Sequence, residues 1–303
     1  MSLVNENLFD INNIKPKEIN DFIHKQHLEY DGLTTLRSTC PACNSSKYIF
    51  AFDKYTFHYV QCFDCKSLYV QNSIDTLEFD KYSKNLENKI YATEIYKKYL
   101  NELANINYFD LEITFSRLLG KEKSTKVGYI GNKDEVFKKV LKKFNIKIEK
   151  FDFLTKSDNC KFDLIIIDHS LEKAIDLNEL ISNVYDCLNN DGFIYVLSRV
   201  GSGIDILTLW EDSKVYPIEH QNLLSVDGMK HLLLKNGFNI KELNTPGTLD
   251  VDNILNSNSK NIPKFLEYLK SFEKENALDD FRVFLQKNLL SSFATLIAQK
   301  DSK

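Results

Sequence analysis

The second half of the chain alternates short apolar runs with stretches of helical period. Val127–Ile130, Ile146–Phe151, Phe162–Ile167, Gly192–Leu197 and Phe238–Leu243 read as strands, and Ser292–Gln299 as a last one. Between them, apolar residues return every three or four positions over Glu135–Phe144, Leu177–Leu188 and Val226–Asn236. This spacing predicts amphipathic helices, the last ended by Gly237. Phe162–Ile167 is apolar at nearly every position, as in a strand buried on both faces. The alternation predicts an α/β fold with a mostly parallel sheet covered by helices on both sides.

The first half has a different texture. Residues 1–36 are polar with scattered apolar positions, which suits a short helix. Thr39–Val70 is rich in aromatic and β-branched residues, and Phe57, Tyr59 and Val60 leading into Cys62 read as strand. From Ser73 to Gly120 the period is helical again: Tyr91, Ile95, Tyr99 and Leu103 share one face, and Phe115, Leu118 and Leu119 continue a second helix. Lys260–Leu290 also reads as helical.

Composition narrows the possibilities. The 303 residues carry 39 Lys and Arg against 43 Asp and Glu, a net charge of −4. This excludes a broad attraction to nucleic acid or anionic membrane. The length suggests two domains, or one large domain with an appendage. No apolar run approaches the roughly 18 residues needed to cross a bilayer, so no membrane association is expected. The N-terminus lacks the basic and apolar regions of a secretory signal, which makes a reducing cytoplasm the expected compartment.

That expectation shapes the reading of the cysteines. Four of the six form two pairs, Cys40-Pro-Ala-Cys43 and Cys62-Phe-Asp-Cys65, with 18 residues between the pairs. Two residues between cysteines let one turn aim both sulfurs at one ion, and the double spacing is that of a four-cysteine zinc site. Four protein ligands leave no open position, so the Zn²⁺ would be structural. Buried free thiols or a redox pair are the plainer alternative. A zinc ribbon also raises nucleic-acid binding, but between Arg37 and Gln71 the basic residues Arg37, Lys47, Lys54 and Lys66 only modestly outweigh Asp53 and Asp64. Cys160 and Cys187 read as ordinary thiols.

In a doubly wound sheet, ligands bind beyond the carboxyl ends of the strands. Those tips carry Gly131 to Glu135, Asp152, Asp168-His169 and Ser198-Arg199. With them in view, the chain from about residue 37 to 300 resembles class I S-adenosylmethionine-dependent methyltransferases. It is most similar in pattern to the bacterial subgroup with an N-terminal four-cysteine zinc ribbon, found among surface-polysaccharide and deoxysugar enzymes. CPAC and YVQCFDCKSLYVQ resemble the ribbon, FDLIIIDHSLEKAID the fourth strand with its following helix, and LNNDGFIYVLSRVGSG the fifth strand. PIEHQNLLSVDGMKHLLLKNGFNIKEL resembles the segment ending in the sixth strand, and TPGTLDVDNIL with FLQKNLLSSFATLIAQK the insertion and last strand.

The resemblance implies roles residue by residue. Gly131 is what remains of a glycine-rich turn that lets the cofactor approach the backbone; Lys133 and Glu135 stand where further glycines are expected, and Tyr129 where the family has an acid. Asp152 falls where an acid receives the ribose hydroxyls, and Asp168 and His169 face cofactor or substrate. Glu219-His220 matches a pair beside the acceptor, with the histidine as general base; Pro217 stands where the family has a tyrosine, with Tyr216 adjacent. Ten residues between Asp152 and Asp163 are too few for the usual helix, strand and helix, so the sheet is expected to lack its third strand. Each residue also has a plain reading: Gly131 as a turn, Asp152 as a loop acid, Asp168 and His169 as helix caps, and His220 as a surface residue.

The implied organisation is an N-terminal helical segment (1–36), a zinc ribbon (37–72), a helical connector or cap (73–125) and a Rossmann-like methyltransferase domain (126–303) with an insertion at 246–290. The implied activity is methyl transfer from S-adenosylmethionine to a small polar substrate such as a nucleotide-linked sugar. An inactive relative acting as a binding or partner subunit is the alternative, and a nucleic-acid-binding ribbon protein a third.

Overall fold

The computed structural model describes residues 17–86, 89–90, 94, 97, 109–119, 125–131, 134–150, 161–260, 262–271 and 276–301. Helix α1 (Lys17–Leu28) leads into strand β1 (Thr34–Leu36) and then β2 (Tyr48–Lys54), β3 (Phe57–Cys62), β4 (Leu68–Val70) and β5 (Asn72–Ile74). β1 and β5 pair antiparallel. This closes the segment that carries the four cysteines. Helices α2 (Thr76–Leu86) and α3 (Phe109–Leu118) follow. Of the face expected from Tyr91, Ile95, Tyr99 and Leu103, all four positions lie outside the described residues.

The main sheet begins at β6 (Val127–Ile130) and continues through α4 (Asp134–Lys142), β7 (Ile148–Lys150), β8 (Phe162–Asp168), α5 (Leu177–Cys187) and β9 (Leu188–Arg199). Next come α6 (Ile204–Leu209), β10 (Asn222–Leu223), α7 (Val226–Lys235) and β11 (Phe238–Asn244). Helices α8 (Asp250–Leu255), α9 (Lys264–Ser271) and α10 (Ala277–Lys287) precede the last strand, β12 (Phe293–Lys300). The six strands run in the order β11-β12-β9-β8-β6-β7. β7, β6, β8 and β9 are mutually parallel, and β12 is antiparallel to both of its neighbours, β9 and β11. This is the Rossmann-like arrangement expected from the sequence. Among the described residues no strand pairs with the outer edge of β7; residues 151–160, where the expected loss of the third strand falls, lie outside the described residues.

The apolar run of β8 explains its central place. Leu164 and Ile166 point into one core with Tyr129, Phe137, Phe115 and Tyr195, while Ile165 and Ile167 point into the other with Leu180, Ile181, Val184 and Met229. The alternation is the period-two geometry of a strand, with helices on both sides. Each buried isoleucine contributes roughly 1.5–3 kcal/mol relative to exposure. A third cluster, Leu209, Val251, Ile254, Leu266 and Leu285, gathers α6 with the helices between β11 and β12.

A buried polar seam joins that helical layer to the sheet. Asp205 accepts from Arg199 Nη2 at 3.2 Å and from the Ser292 hydroxyl, and Asp250 accepts from the Ser292 amide at 2.9 Å and from the Ser291 hydroxyl. Burial first, and then the Asp205 charge, push up the Asp250 carboxyl. Gly203 permits the close approach: a Cβ there would stand 2.4 Å from the Ser292 Cα. Gly203→Ala is therefore expected to cost about 2 kcal/mol, as overpacking of a tight core does. Urea denaturation of the two proteins side by side checks it.

The ribbon's sheet is not self-contained. Its order is β10-β4-β3-β2, and β10 comes from far along the chain, with Asn222 opposite Tyr69 and Leu223 opposite Leu68. The ribbon thereby holds the segment that follows Glu219 and His220.

Candidate functional site

The two cysteine turns are built alike. In the first, the Asn44 amide donates to the Cys40 carbonyl at 2.9 Å and the Cys40 amide to the Ser45 carbonyl at 2.8 Å. In the second, the Lys66 amide donates to the Cys62 carbonyl at 3.1 Å and the Cys62 amide to the Ser67 carbonyl at 2.9 Å. Asn44 and Lys66, each directly after the second cysteine of its pair, both have φ of 62°. Identical turns facing one another aim four sulfurs at one point, and the four lie within 4.8 Å of one another. Cys40 and Cys65 are 3.6 Å apart, and Cys43 and Cys62 3.5 Å. In a tetrahedral zinc–thiolate centre the sulfurs stand about 3.8 Å apart, given Zn–S bonds near 2.3 Å. The cluster fits such an ion.

Without a cation the sulfurs share protons. Cys65 is held down to about 5 as the acceptor of a hydrogen bond from Cys40, helped by the Ser67 hydroxyl, while the Cys40 thiol is pushed up by that same bond. Burial raises Cys43 to about 11. A metal must displace these protons, so its binding weakens as pH falls.

The strand tips form a second assembly. Tyr129 on β6 donates its hydroxyl to Asp168 Oδ2 at 2.7 Å, and both side chains are buried. Gly131 has φ of 152°, and a Cβ there would stand 2.8 Å from both the Asp168 carbonyl and the Tyr129 hydroxyl. Glycine is thus required where two strand tips cross closely. Glu135 turns outward, paired with Lys138 at 3.1 Å. Lys133 and Asp152 lie outside the described residues.

His169 sits at a φ of 48° directly after β8. Its Nδ1 is 2.9 Å from Glu172 Oε1, and its Nε2 is 3.9 Å from Asp168 Oδ1. Glu172 is 2% exposed, and its Oε1 also accepts from the Arg199 amide at 2.5 Å. Burial opposes ionisation of this carboxyl, but the nearby His169, which also donates to it, and the Arg199 amide outweigh that and lower it below the usual range. The reading of His169 as a mere helix cap missed this partner. Nothing in the spacing of one glutamate three residues downstream marks it as buried.

Glu219 is buried and pairs with Lys173 at 2.6 Å. His220 lies in the same turn, with its Nδ1 accepting from the Tyr216 amide at 3.0 Å and its amide returning a bond to the Tyr216 carbonyl at 2.8 Å. An amide only donates, so the neutral ring carries its proton on Nε2. That places a proton where the expected general-base role needs a lone pair. The turn is linked to the tip assembly, because the Asn222 amide donates to the Glu172 carbonyl at 3.0 Å.

Most other supports of this turn come from the N-terminal region. Tyr59 donates to the His220 carbonyl at 2.8 Å, the Val70 amide to the Gln221 carbonyl at 2.9 Å and Arg37 to Asn222 at 2.7 Å. The Ser225 amide donates to Ser67 at 3.0 Å, and the Ser225 hydroxyl to the Cys65 carbonyl. From α1, His27 Nε2 accepts the Ile218 amide at 3.0 Å. Lys54 donates to the carbonyls of Glu211 and Ser213. Two of the four cations considered for nucleic-acid binding, Arg37 and Lys54, are therefore committed to holding the fold. Cys187, expected as an ordinary thiol, is disulfide-bonded.

No protein-family model matches the chain, and no curated protein sequence does. Among solved structures it is similar to the Haemonchus contortus phospholethanolamine N-methyltransferase 2, determined with phosphomonomethylethanolamine and S-adenosylhomocysteine. The identity is 16%, over 78% of this chain and 63% of that one, with a TM-score of 0.41. It is also similar to the O-methyltransferase of a trans-AT polyketide multienzyme of Brevibacillus brevis bound to S-adenosylhomocysteine (14% identity, 76% and 80% of the chains, TM-score 0.37). A third is an S-adenosylmethionine-dependent methyltransferase from Mesorhizobium loti (13%, 62% and 96%, TM-score 0.35). No helix among the described residues is long and apolar enough to cross a membrane.

Proposed function

We propose that the chain is an S-adenosylmethionine-dependent methyltransferase acting on a small polar acceptor, with a nucleotide-linked sugar as the favoured class, and that Cys40, Cys43, Cys62 and Cys65 hold a structural zinc ion. The observation that carries the reading is the convergence of Gly131, Asp168, His169 and Glu172 with the Glu219-His220 turn at the carboxyl ends of the parallel strands, the position where doubly wound sheets bind ligands. The cofactor would supply an electrophilic methyl group. Asp168 offers a carboxylate for its ammonium and the Gly131 turn borders it, and by resemblance the ribose hydroxyls fall to Asp152. Glu219 and Lys173 bound the acceptor side, and His220 donates there through Nε2. Catalysis would rest largely on alignment of the reacting groups.

A second reading, an inactive relative serving as a binding or partner subunit, is favoured by the Asp168 carbonyl and Tyr129 hydroxyl crowding the Gly131 turn, each 2.8 Å from where a Cβ would be. Calorimetric titration with S-adenosylhomocysteine decides between them. Saturable heat at micromolar ligand is the expected result; no heat at millimolar ligand overturns the enzyme reading and leaves the second.

A further inference from the structure

Charge is spread unevenly along the chain. Residues 121–150 hold ten of the 39 basic residues, all of them lysine, and four of the 43 acids, so this segment carries +6 and the rest of the chain −10. The described part of the segment lies along one edge of the main sheet. Helix α4 buries Phe137, Val140 and Leu141 in the core and exposes Lys138, Lys139 and Lys142, with Lys143 exposed directly after it. Lys147 and Lys150 are exposed just before and at the end of β7, the outermost strand. Glu135 pairs with Lys138 and Glu112 of α3 with Lys143, whereas Lys142 and Lys147 form no ion pair among the described residues. Lysines on an edge strand keep other strands from pairing there. That accounts for Lys147 and Lys150, but not for the four on and after α4.

We propose that this lysine face docks the protein reversibly on an anionic lipid surface. The chemistry of the face selects the partner. Arginine, whose planar fork grips a phosphate at two points, is absent from residues 121–150; lysine supplies mobile point charges, which suit a diffuse layer of anionic headgroups. A nucleic-acid surface interleaves its cations with exposed aromatic rings on which bases stack. No ring in the described part of the segment is exposed. The large apolar side chain exposed beside the face is Ile113, at 44%, on α3, which packs against α4. An aliphatic side chain next to lysines fits the border between headgroups and acyl chains. Contact of this kind needs no spanning helix, and at the β7 edge it leaves the strand tips uncovered. The proposal stands apart from the methyltransferase reading.

The test is sedimentation of the zinc-loaded full chain with sucrose-filled vesicles of phosphatidylcholine, alone or mixed with phosphatidylglycerol. At low salt the chain is expected to pellet with the anionic vesicles and not with the neutral ones. It should be released at about 0.5 M salt, where the screening length falls to roughly 4 Å. A lysine near such a surface contributes a factor of about five, so Lys142→Gln with Lys147→Gln should weaken binding about 25-fold. Lys264→Gln with Lys270→Gln, also exposed but on α9, should leave it unchanged. Absence of pelleting with the anionic vesicles, or an equal loss from both pairs, overturns the proposal. Tighter salt-dependent binding to a single-stranded oligonucleotide than to the vesicles also overturns it and assigns the face to nucleic acid. The lipid and salt dependence of the wild type is read without any variant. Titration with S-adenosylhomocysteine reports separately on the methyltransferase reading, whose failure leaves the vesicle result intact.

Discussion

Stripping zinc from the purified chain with a strong chelator is expected to unfold more than the ribbon, because the ribbon's bonds hold residues 216–225 in place. Structural zinc binding in zinc-finger peptides supplies roughly 10–16 kcal/mol, as large as the ~5–15 kcal/mol by which whole domains are stable. A loss of even about 5 kcal/mol would lower the melting temperature of a domain of this size by roughly 10–20 °C. The coupling is specific. The Asn222 and Leu223 strand pairs with β4, Ser225 is tied to Cys65 and Ser67, and Gly228 leaves no room for a Cβ beside the Ser67 hydroxyl, 2.1 Å away. Hydrogen exchange should therefore show the amides of His220 and Ser225 losing protection together with those of Cys40 and Cys62. One zinc per chain is expected by elemental analysis, and Cys62→Ser should reproduce the effect of chelation. Retained protection at residues 216–225 in the metal-free protein would show that the α/β domain holds this turn unaided.

The parts of this arrangement that were legible in the sequence are those set by local rules. Two cysteines three positions apart suit a single turn, so the four-cysteine cluster could be read from spacing. The β-α alternation could be read because Leu164 to Ile167 and the helices flanking them bury surface with periods of two and three to four. The reversed direction of β12 was not legible, since apolar alternation is the same in either direction. Nor was the pairing of β10 with β4: Asn222 and Leu223 form a two-residue strand whose partners lie some 150 positions earlier. Resemblance pointed to Lys133 and Glu135 of the first loop as standing where glycines are expected. Lys133 lies outside the described residues; beside Gly131 the structure brings Tyr129 and Asp168 together, a contact between two strand tips that neighbouring residues do not specify.

His27 was likewise invisible in a segment without chemical signals, and it carries the other large effect. Acidification from pH 7 to pH 4 is expected to cost the wild-type chain about 3 kcal/mol more than it costs a His27→Gln variant. The ring is fully buried, with Nδ1 donating to the Ile23 carbonyl at 2.7 Å and Nε2 accepting from the Ile218 amide. Around it lie the rings of Tyr55, Tyr82 and Tyr216, with His24 and Glu219 as the further groups acting on its charge. Burial chiefly lowers its titration to about 4 from an ordinary 6.5. The folded chain therefore refuses a proton that the unfolded chain accepts, so the stabilisation is complete above pH 6.5 and is lost as pH falls toward 4. At about 1.4 kcal/mol per pH unit this gives the stated magnitude. Asp250 acts with the opposite sign: its raised carboxyl takes up a proton more readily in the folded chain, which adds stability as pH falls. The two partly cancel in the wild type, so the comparison must be between variants. Urea denaturation at both pH values should show His27→Gln losing the acid sensitivity and Asp250→Asn increasing it. Parallel pH dependence in wild type and His27→Gln would mean that burial does not keep the proton off His27 in the folded chain.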